Sequence, residues 1–559
     1  MFCPKCGTKL EEDTVFCTNC GTKIENNIEW SPGFSEAFQK DASDAVQPEP
    51  VNQPTKDAGE EGAADETFYQ QKKKFNGKDF FKKNSKTLIG IAAVFIAAFL
   101  AVKLFSALFF RSLDSVISVY DQKDKKSTIY LNAKMIDTVD GEAQIFGNMD
   151  GSAFYIVDGK YTVYYLKGKK LVKVMKDCSE IRIANHDKTA LLIDKDNVLS
   201  RYNGSKLEEI TDKNVSEIVI SGDGNYYAYT ILNDDYEYDS YIGKSPDKEV
   251  KVKNAKIFAM SEKCDYIYGI DDEDNLLNIN KKGDKETLAK DVQHDFMLNE
   301  KGTEIIFIMN DKTYISVKGK DKTKVSNGII MNIYGKKNKS SNVSLYSTSD
   351  FTDAMVVRVS NFYPIDTFKK SIAYMKEAGE DNICLLSGKY EAEEIVSDVS
   401  LLCKVDEKAS KIYYIEDSDL YYVKAKKGAK EEKLAQNIRD AYQVFISDDC
   451  EDIYYINEDD ELYYIKGTRE AKAIDKDLKV NSWNYPTVIN GKLYIGIGDK
   501  FYYINGSKAK ELKKIKGMKY DSMAQKVYAY DNDKLYEVKK GVLKKLKGSF
   551  EGIGYIFSG

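Results

Sequence analysis

Histidine is nearly absent from this chain, with 2 residues among 559, and tryptophan (2) and proline (8) are almost as scarce. Two imidazoles leave little room for histidine general-base chemistry or histidine-rich metal sites, which weighs against an enzyme. Neither a Gly-x-Ser-x-Gly elbow nor a phosphate-binding glycine loop occurs, so those two reaction classes lack their usual scaffold. Charge of one sign is lacking too. With 83 basic and 89 acidic residues, a net -6, the whole molecule has no bias toward polyanions.

What is present is uneven. The chain opens with Cys3, Cys6, Cys17 and Cys20, two Cys-x-x-Cys-Gly knuckles separated by ten residues. Two such turns complete a tetrahedral sulfur cage for zinc, and Gly7 and Gly21 let backbone N–H groups point back at the thiolates. Residues 2–25 resemble the short bacterial zinc-ribbon family that begins many membrane proteins. The ribbon, residues 1–28, is too small to fold by burial alone, so the zinc is expected to be structural, with no open position for chemistry. A redox dithiol would need a βαβ unit, and none is present. Residues 1–30 carry three Lys against five acids, and a four-thiolate zinc site adds two negative charges, so nucleic acid is a poor partner and a cytoplasmic protein a better one.

Residues 29–71 are rich in acids and hold four of the prolines, the composition of a disordered tether. A basic collar follows at 72–86, with Lys72, Lys73, Lys74, Lys78, Lys82, Lys83 and Lys86 against one Asp; interleaved phenylalanines suit it to membrane lipid headgroups. Residues 87–110 form an apolar run interrupted by Lys103, whose long side chain can snorkel. The run is long enough to span a bilayer at 1.5 Å per residue. Seven lysines before it and Arg111 after it predict a single-pass plasma-membrane protein with its N-terminus cytoplasmic and residues 111–559 outside.

Beyond the span, runs of Tyr, Ile and Val alternate with Asp, Asn, Gly and Lys turns, as in "KIYYIEDSDLYYVK" at 411–424. Such hairpins begin near Phe154, Ala190, Tyr226, Tyr266, Ile305, Ile372, Ile412, Ile453, Leu493 and Val527. A period near 40 predicts an all-β propeller, expected as one ring of about eight blades. "ISGDGNYYAYT" at 220–230 is similar to the Ser-x-Asp-Gly turn of TolB-family propellers, with weaker copies at 260–270, 298–308 and 446–456. One gap of 67 residues holds 336–368, read as either an insertion on one face or a divergent blade.

Cys264 and Cys450 stand where sister repeats have Gly224 and Gly302, which marks a small-residue turn position. Cys178, Cys384 and Cys403 are expected as buried thiols, with a Cys384–Cys403 bridge as the alternative. The acidic turns at 271–275, 457–461 and 531–534 lack the spaced carboxylates of a calcium loop and read as hairpin turns. His186 and His294 read as turn or surface residues, and a tyrosine subset facing the axis is a candidate for stacking on sugars.

These features predict a non-catalytic, membrane-anchored binding or scaffold protein. Its propeller would take a protein, peptide or envelope glycan, and its ribbon a cytoplasmic partner. Two alternatives are an envelope hydrolase or lyase built on the propeller and a membrane-tethered regulator of transcription; the ribbon's charge opposes the second.

Overall fold

A computed structural model describes residues 114–558, apart from 234–235, 337–361, 439–440, 475–477, 481 and 522–523. The described residues belong to one compact unit, Ser112–Gly559. The expected ribbon, tether, collar and span all lie outside the described residues. Among the described residues no helix is long and apolar enough to cross a membrane.

This unit is built from one local device. In "KIYYIEDSDLYYVK" strand Lys411–Glu416 pairs antiparallel with Asp419–Lys424, setting Tyr413 opposite Tyr422 and Tyr414 opposite Tyr421. The two linking residues, Asp417 (φ 47°) and Ser418 (φ 64°), are both left-handed, as a two-residue turn must be to follow the strands' twist. Ile412 and Tyr414 then face one neighbouring sheet, and Tyr413 and Ile415 the other. With both faces buried, the strand reads as a nearly unbroken apolar run.

Eleven sheets arise in this way among the described residues. Blade 1 combines the last strand, Ile553–Ser558, with Val116–Asp121, Lys126–Leu131 and Lys134–Asp140. Blades 2 to 11 open in order with Gln144–Gly147, Cys178–Ile183, Val215–Ile220, Lys256–Met260, Phe296–Asn299, Ile329–Tyr334, Leu401–Val405, Val444–Ile446, Trp483–Ile489 and Gly517–Asp521. First strands of successive blades lie side by side, as in a propeller's inner wall.

Eleven apolar clusters join these sheets, each made by two consecutive blades. The last joins Tyr528 and Leu535 of blade 11 to Ile117, Tyr130 and Ile556 of blade 1, which closes the ring. A fully buried Ile or Leu contributes about 1.5–3 kcal/mol, so these interfaces, and not the hydrogen bonds inside each blade, make the sheets one body. The expectation of about eight blades is therefore corrected to eleven. The ten hairpins read from the sequence are the second and third strands of blades 2 to 11. The eleventh begins at Val116, and its blade is completed only by a strand from the opposite end of the chain.

The segment 336–368 is an insertion within a blade. The strands on either side of it, Ile329–Tyr334 and Ile372–Glu377, are adjacent in one sheet, blade 7. On its return the segment places Phe362–Tyr363 parallel to the first strand of blade 6, pairing Leu298 with Phe362 and Asn299 with Tyr363. Cys384 and Cys403 are both free and lie in different inter-blade clusters, so the alternative bridge is not formed.

Candidate functional site at the turn face of the ring

Among the described residues, the turns that join first to second strands lie on one face, since the antiparallel blades repeat one strand order. Their backbone is dictated by sequence. In the turn of blade 4, Ser221 Oγ donates to Asp223 Oδ1 (2.8 Å) and accepts from Tyr226 N (2.9 Å), while Gly224 N donates to Ser221 O (2.9 Å). Gly224 has φ +69°, and the residues in its place elsewhere, Cys264 (58°), Gly302 (62°) and Cys450 (56°), are also left-handed. The small-residue position inferred from the repeat thus has a backbone cause: a Cβ is costly at positive φ, and glycine avoids the cost.

From blade 2 to blade 6 these turns are stitched to one another. Met149 N donates to Asn185 O (2.9 Å), His186 N to Gly222 O (2.8 Å), Asp223 N to Glu262 O (3.0 Å) and Glu262 N to Lys301 O (3.1 Å). Glu300 N continues the series to Ile365 O of the returning insertion (3.0 Å). Glu304, buried beside it, accepts from Thr367 Oγ1 (2.6 Å), Phe368 N (2.6 Å) and Tyr390 OH (2.9 Å), and Lys301 pairs with Asp366 (3.1 Å). Residues 362–368 are thereby fixed to blades 6 and 7 at the mouth of the ring.

His186 sits within this belt. Its Nδ1 lies 3.4 Å from Asp150 Oδ1 of blade 2, and its Nε2 lies 3.6 Å from Glu300 Oε1 of blade 6. The Asp150 contact raises the imidazole pKa; burial opposes this, and Glu300 and Glu262 reinforce it. A carboxylate near each ring nitrogen stabilises the protonated imidazole. The geometry is that of an ionic clasp between three blades.

His186 lies in a turn, as expected from the sequence, but the carboxylates that converge on it were not foreseen. Its neighbours occupy equivalent repeat positions, so aligning the turns would have put them on one face. Only the curvature of the ring brings carboxylates of blade 2 and blade 6 to one imidazole. His294 is an exposed residue paired with Asp274 (2.8 Å). In the acidic turns, Asp271, Asn457 and Asp531 accept hydrogen bonds from following backbone N–H groups, the ordinary work of a hairpin turn. The tyrosines are engaged in packing. Tyr155, Tyr227, Tyr268, Tyr413, Tyr414, Tyr454 and Tyr528 are fully buried in second strands between blades, which leaves none of these to stack on a sugar. On the first strands the partly exposed residues are mainly apolar, among them Phe146, Phe258, Met297, Met331, Leu402 and Tyr555. Lys519, on the first strand of blade 11, is solvent-accessible yet crowded by protein, and this burial pushes its ammonium pKa down, with Asp521 partly offsetting the effect.

No curated protein sequence matches the chain. Among solved structures, a eukaryotic initiation factor is similar at 11% identity, over 65% of this chain and 96% of that one, with a TM-score of 0.38. A TolB structure from Agrobacterium tumefaciens is similar at 13% identity over 38% of this chain and 88% of that one, with a TM-score of 0.24. The tricorn protease is similar at 12% identity over 78% and 48%, with a TM-score of 0.22. Likeness at this level says nothing of activity. At the N-terminus, residues 2–24 match the zinc-ribbon domain family, and Cys3, Cys6, Cys17 and Cys20 all fall inside the matched stretch.

Proposed function

We propose that the chain is a membrane-anchored binding or scaffold protein whose propeller takes a protein, peptide or envelope glycan at the turn face. On this reading the four N-terminal cysteines hold a structural zinc in a cytoplasmic module that contacts a second partner. Residues 87–110 cross the plasma membrane, and the collar lysines rest on its inner leaflet. The observation that carries the binding role is the insertion. Its return, Phe362–Phe368, breaks the repeat at the mouth of the ring and is fastened there by Glu304, Asn299 and Lys301. A rigid repeat presenting one irregular segment is how binding sites are commonly placed on such scaffolds. The non-catalytic reading is supported by the scarcity of imidazoles, His186 and His294 being the two in the chain.

The test is replacement of residues 338–360 by a short Gly-Ser linker, which leaves Phe362–Phe368 in place. The expected result is unchanged β-sheet circular dichroism together with loss of the envelope component that the wild-type chain cross-links on intact cells. Retention of the same cross-linked product would place the binding site elsewhere. Protease added to intact cells should also remove the propeller and spare the N-terminal module.

A further inference from the structure

We infer that a cleft over the turn ends of blades 7 and 8 is a binding site for a phosphate-bearing anion. The cleft encloses about 660 Å³ and is lined by Lys370, Lys408, Lys411 and Lys424, with Ser387 and Ser410 between them and Glu393 as the one lining carboxylate. In a chain of net charge -6 this is a local excess of three positive charges.

Two features accompany the cleft. The first is a missing latch. At four other junctions a second-strand tyrosine reaches the next blade: Tyr155 OH to Lys188 O, Tyr413 OH to Cys450 O (3.0 Å), Tyr454 OH to Gly491 O (3.0 Å) and Tyr528 OH to Ser115 Oγ (2.7 Å). Counted back from the strand ends Glu416 and Glu377, the blade 7 counterpart of Tyr413 is Tyr374. Its hydroxyl donates instead to Asp381 of its own blade (2.8 Å), so this latch is absent between blades 7 and 8. A side chain at Gly388, which lines the opening, would meet nothing within 4 Å.

The second feature is unresolved charge. Lys411 and Lys424 lie directly opposite each other on paired strands, an arrangement that costs stability. Lys411 is relieved by Glu451 (2.6 Å), whereas Lys370, Lys408 and Lys424 make no ion pair with a carboxylate among the described residues. An external anion supplies the missing counter-charge. Lysines act as separate point charges without the flat fork of arginine, which suits a multiply charged tetrahedral oxyanion better than a single carboxylate. This inference does not depend on the proposed membrane anchoring.

The test is an amine-acylation footprint of the full chain, read peptide by peptide by mass spectrometry. One arm adds tripolyphosphate to the chain in detergent micelles; the other reconstitutes the chain in phosphatidylcholine vesicles with or without phosphatidylglycerol. Lys370, Lys408 and Lys424 should be modified about tenfold more slowly with the anion present, the product of three modest exposed contacts. Lys160 and Lys206, exposed elsewhere, should be unaffected. Protection by phosphatidylglycerol assigns a lipid headgroup, and protection by tripolyphosphate alone assigns a soluble phosphate ester or polymer. Equal modification of cleft and control lysines in both arms overturns the inference. K408E/K424E should abolish protection of Lys370 with the circular dichroism unchanged. If that variant does not fold, the wild-type footprint decides.

Discussion

Blades 2 to 6 and blades 8 to 11 are built from the same hairpin, yet their turn ends are held to their neighbours by different means. In the first group a chain of backbone hydrogen bonds runs from turn to turn and continues into the insertion. In the second no such bonds join the turns among the described residues, and the turn of blade 10 shrinks to Asn490 and Gly491, which leaves no loop to stitch. There Tyr413, Tyr454 and Tyr528 bridge the junctions with single hydroxyls. A repeat can therefore conserve its inter-blade packing while varying how its exposed edge is secured. Neither device operates between blades 7 and 8, where the lysine-lined cleft lies.

The comparison can be broken most severely at the end of the belt. Glu304 is buried and takes three hydrogen bonds, so Glu304→Leu strands Phe368 N and Tyr390 OH without an acceptor. Each buried unsatisfied group costs about 1–3 kcal/mol, so a loss of about 3 kcal/mol or more is expected in urea unfolding. A loss below about 1 kcal/mol would show that the insertion is held by other contacts.

In the other half of the ring the devices are single and the losses should be smaller. Tyr454→Phe keeps the ring packing but removes the donor to Gly491 O and the acceptor for Gly506 N (3.3 Å). About 1–2 kcal/mol is expected from the same measurement. An effect as large as that of Glu304→Leu would contradict the distinction drawn between the two halves.

The smallest effect depends on pH. The folded state raises the His186 pKa above the ordinary value of 6.5. Its stabilising contribution is therefore complete below that value and is lost as pH rises through the folded pKa. The gap in urea midpoint between wild type and His186→Ala should be widest below pH 6.5 and should narrow as the pH rises past that value. A gap that is constant with pH would mean that the clasp is not ionic.

Much of this was legible in the sequence because it is local. Alternating Tyr and Ile between Asp- and Gly-bearing turns specifies a two-sided hairpin, and ten of the eleven were placed by that signal. The exchange of Gly224 and Gly302 for Cys264 and Cys450 marked a special turn position before its left-handed backbone was seen. The missed hairpin at Val116 has the same local pattern, but its blade draws its first strand from Ile553–Ser558, more than four hundred residues away. The blade number was underestimated because nothing in a hairpin encodes the angle to its neighbour; that angle comes from side-chain packing between sheets.

The sequence by itself determined the element type, the repeat, the four-cysteine module matched by the zinc-ribbon family, and the position of the insertion. These depend on side-chain periodicity, turn chemistry and ligand spacing, all of which act over a few residues. Tertiary structure alone decided the number of blades and the seam at which the ring closes. It also carried the insertion back onto blade 6, set His186 between Asp150 and Glu300, and formed the lysine-lined cleft over blades 7 and 8. Each of these joins residues tens to hundreds of positions apart, and their proximity is set by how sheets twist and pack around an axis, a quantity no short stretch of chain contains.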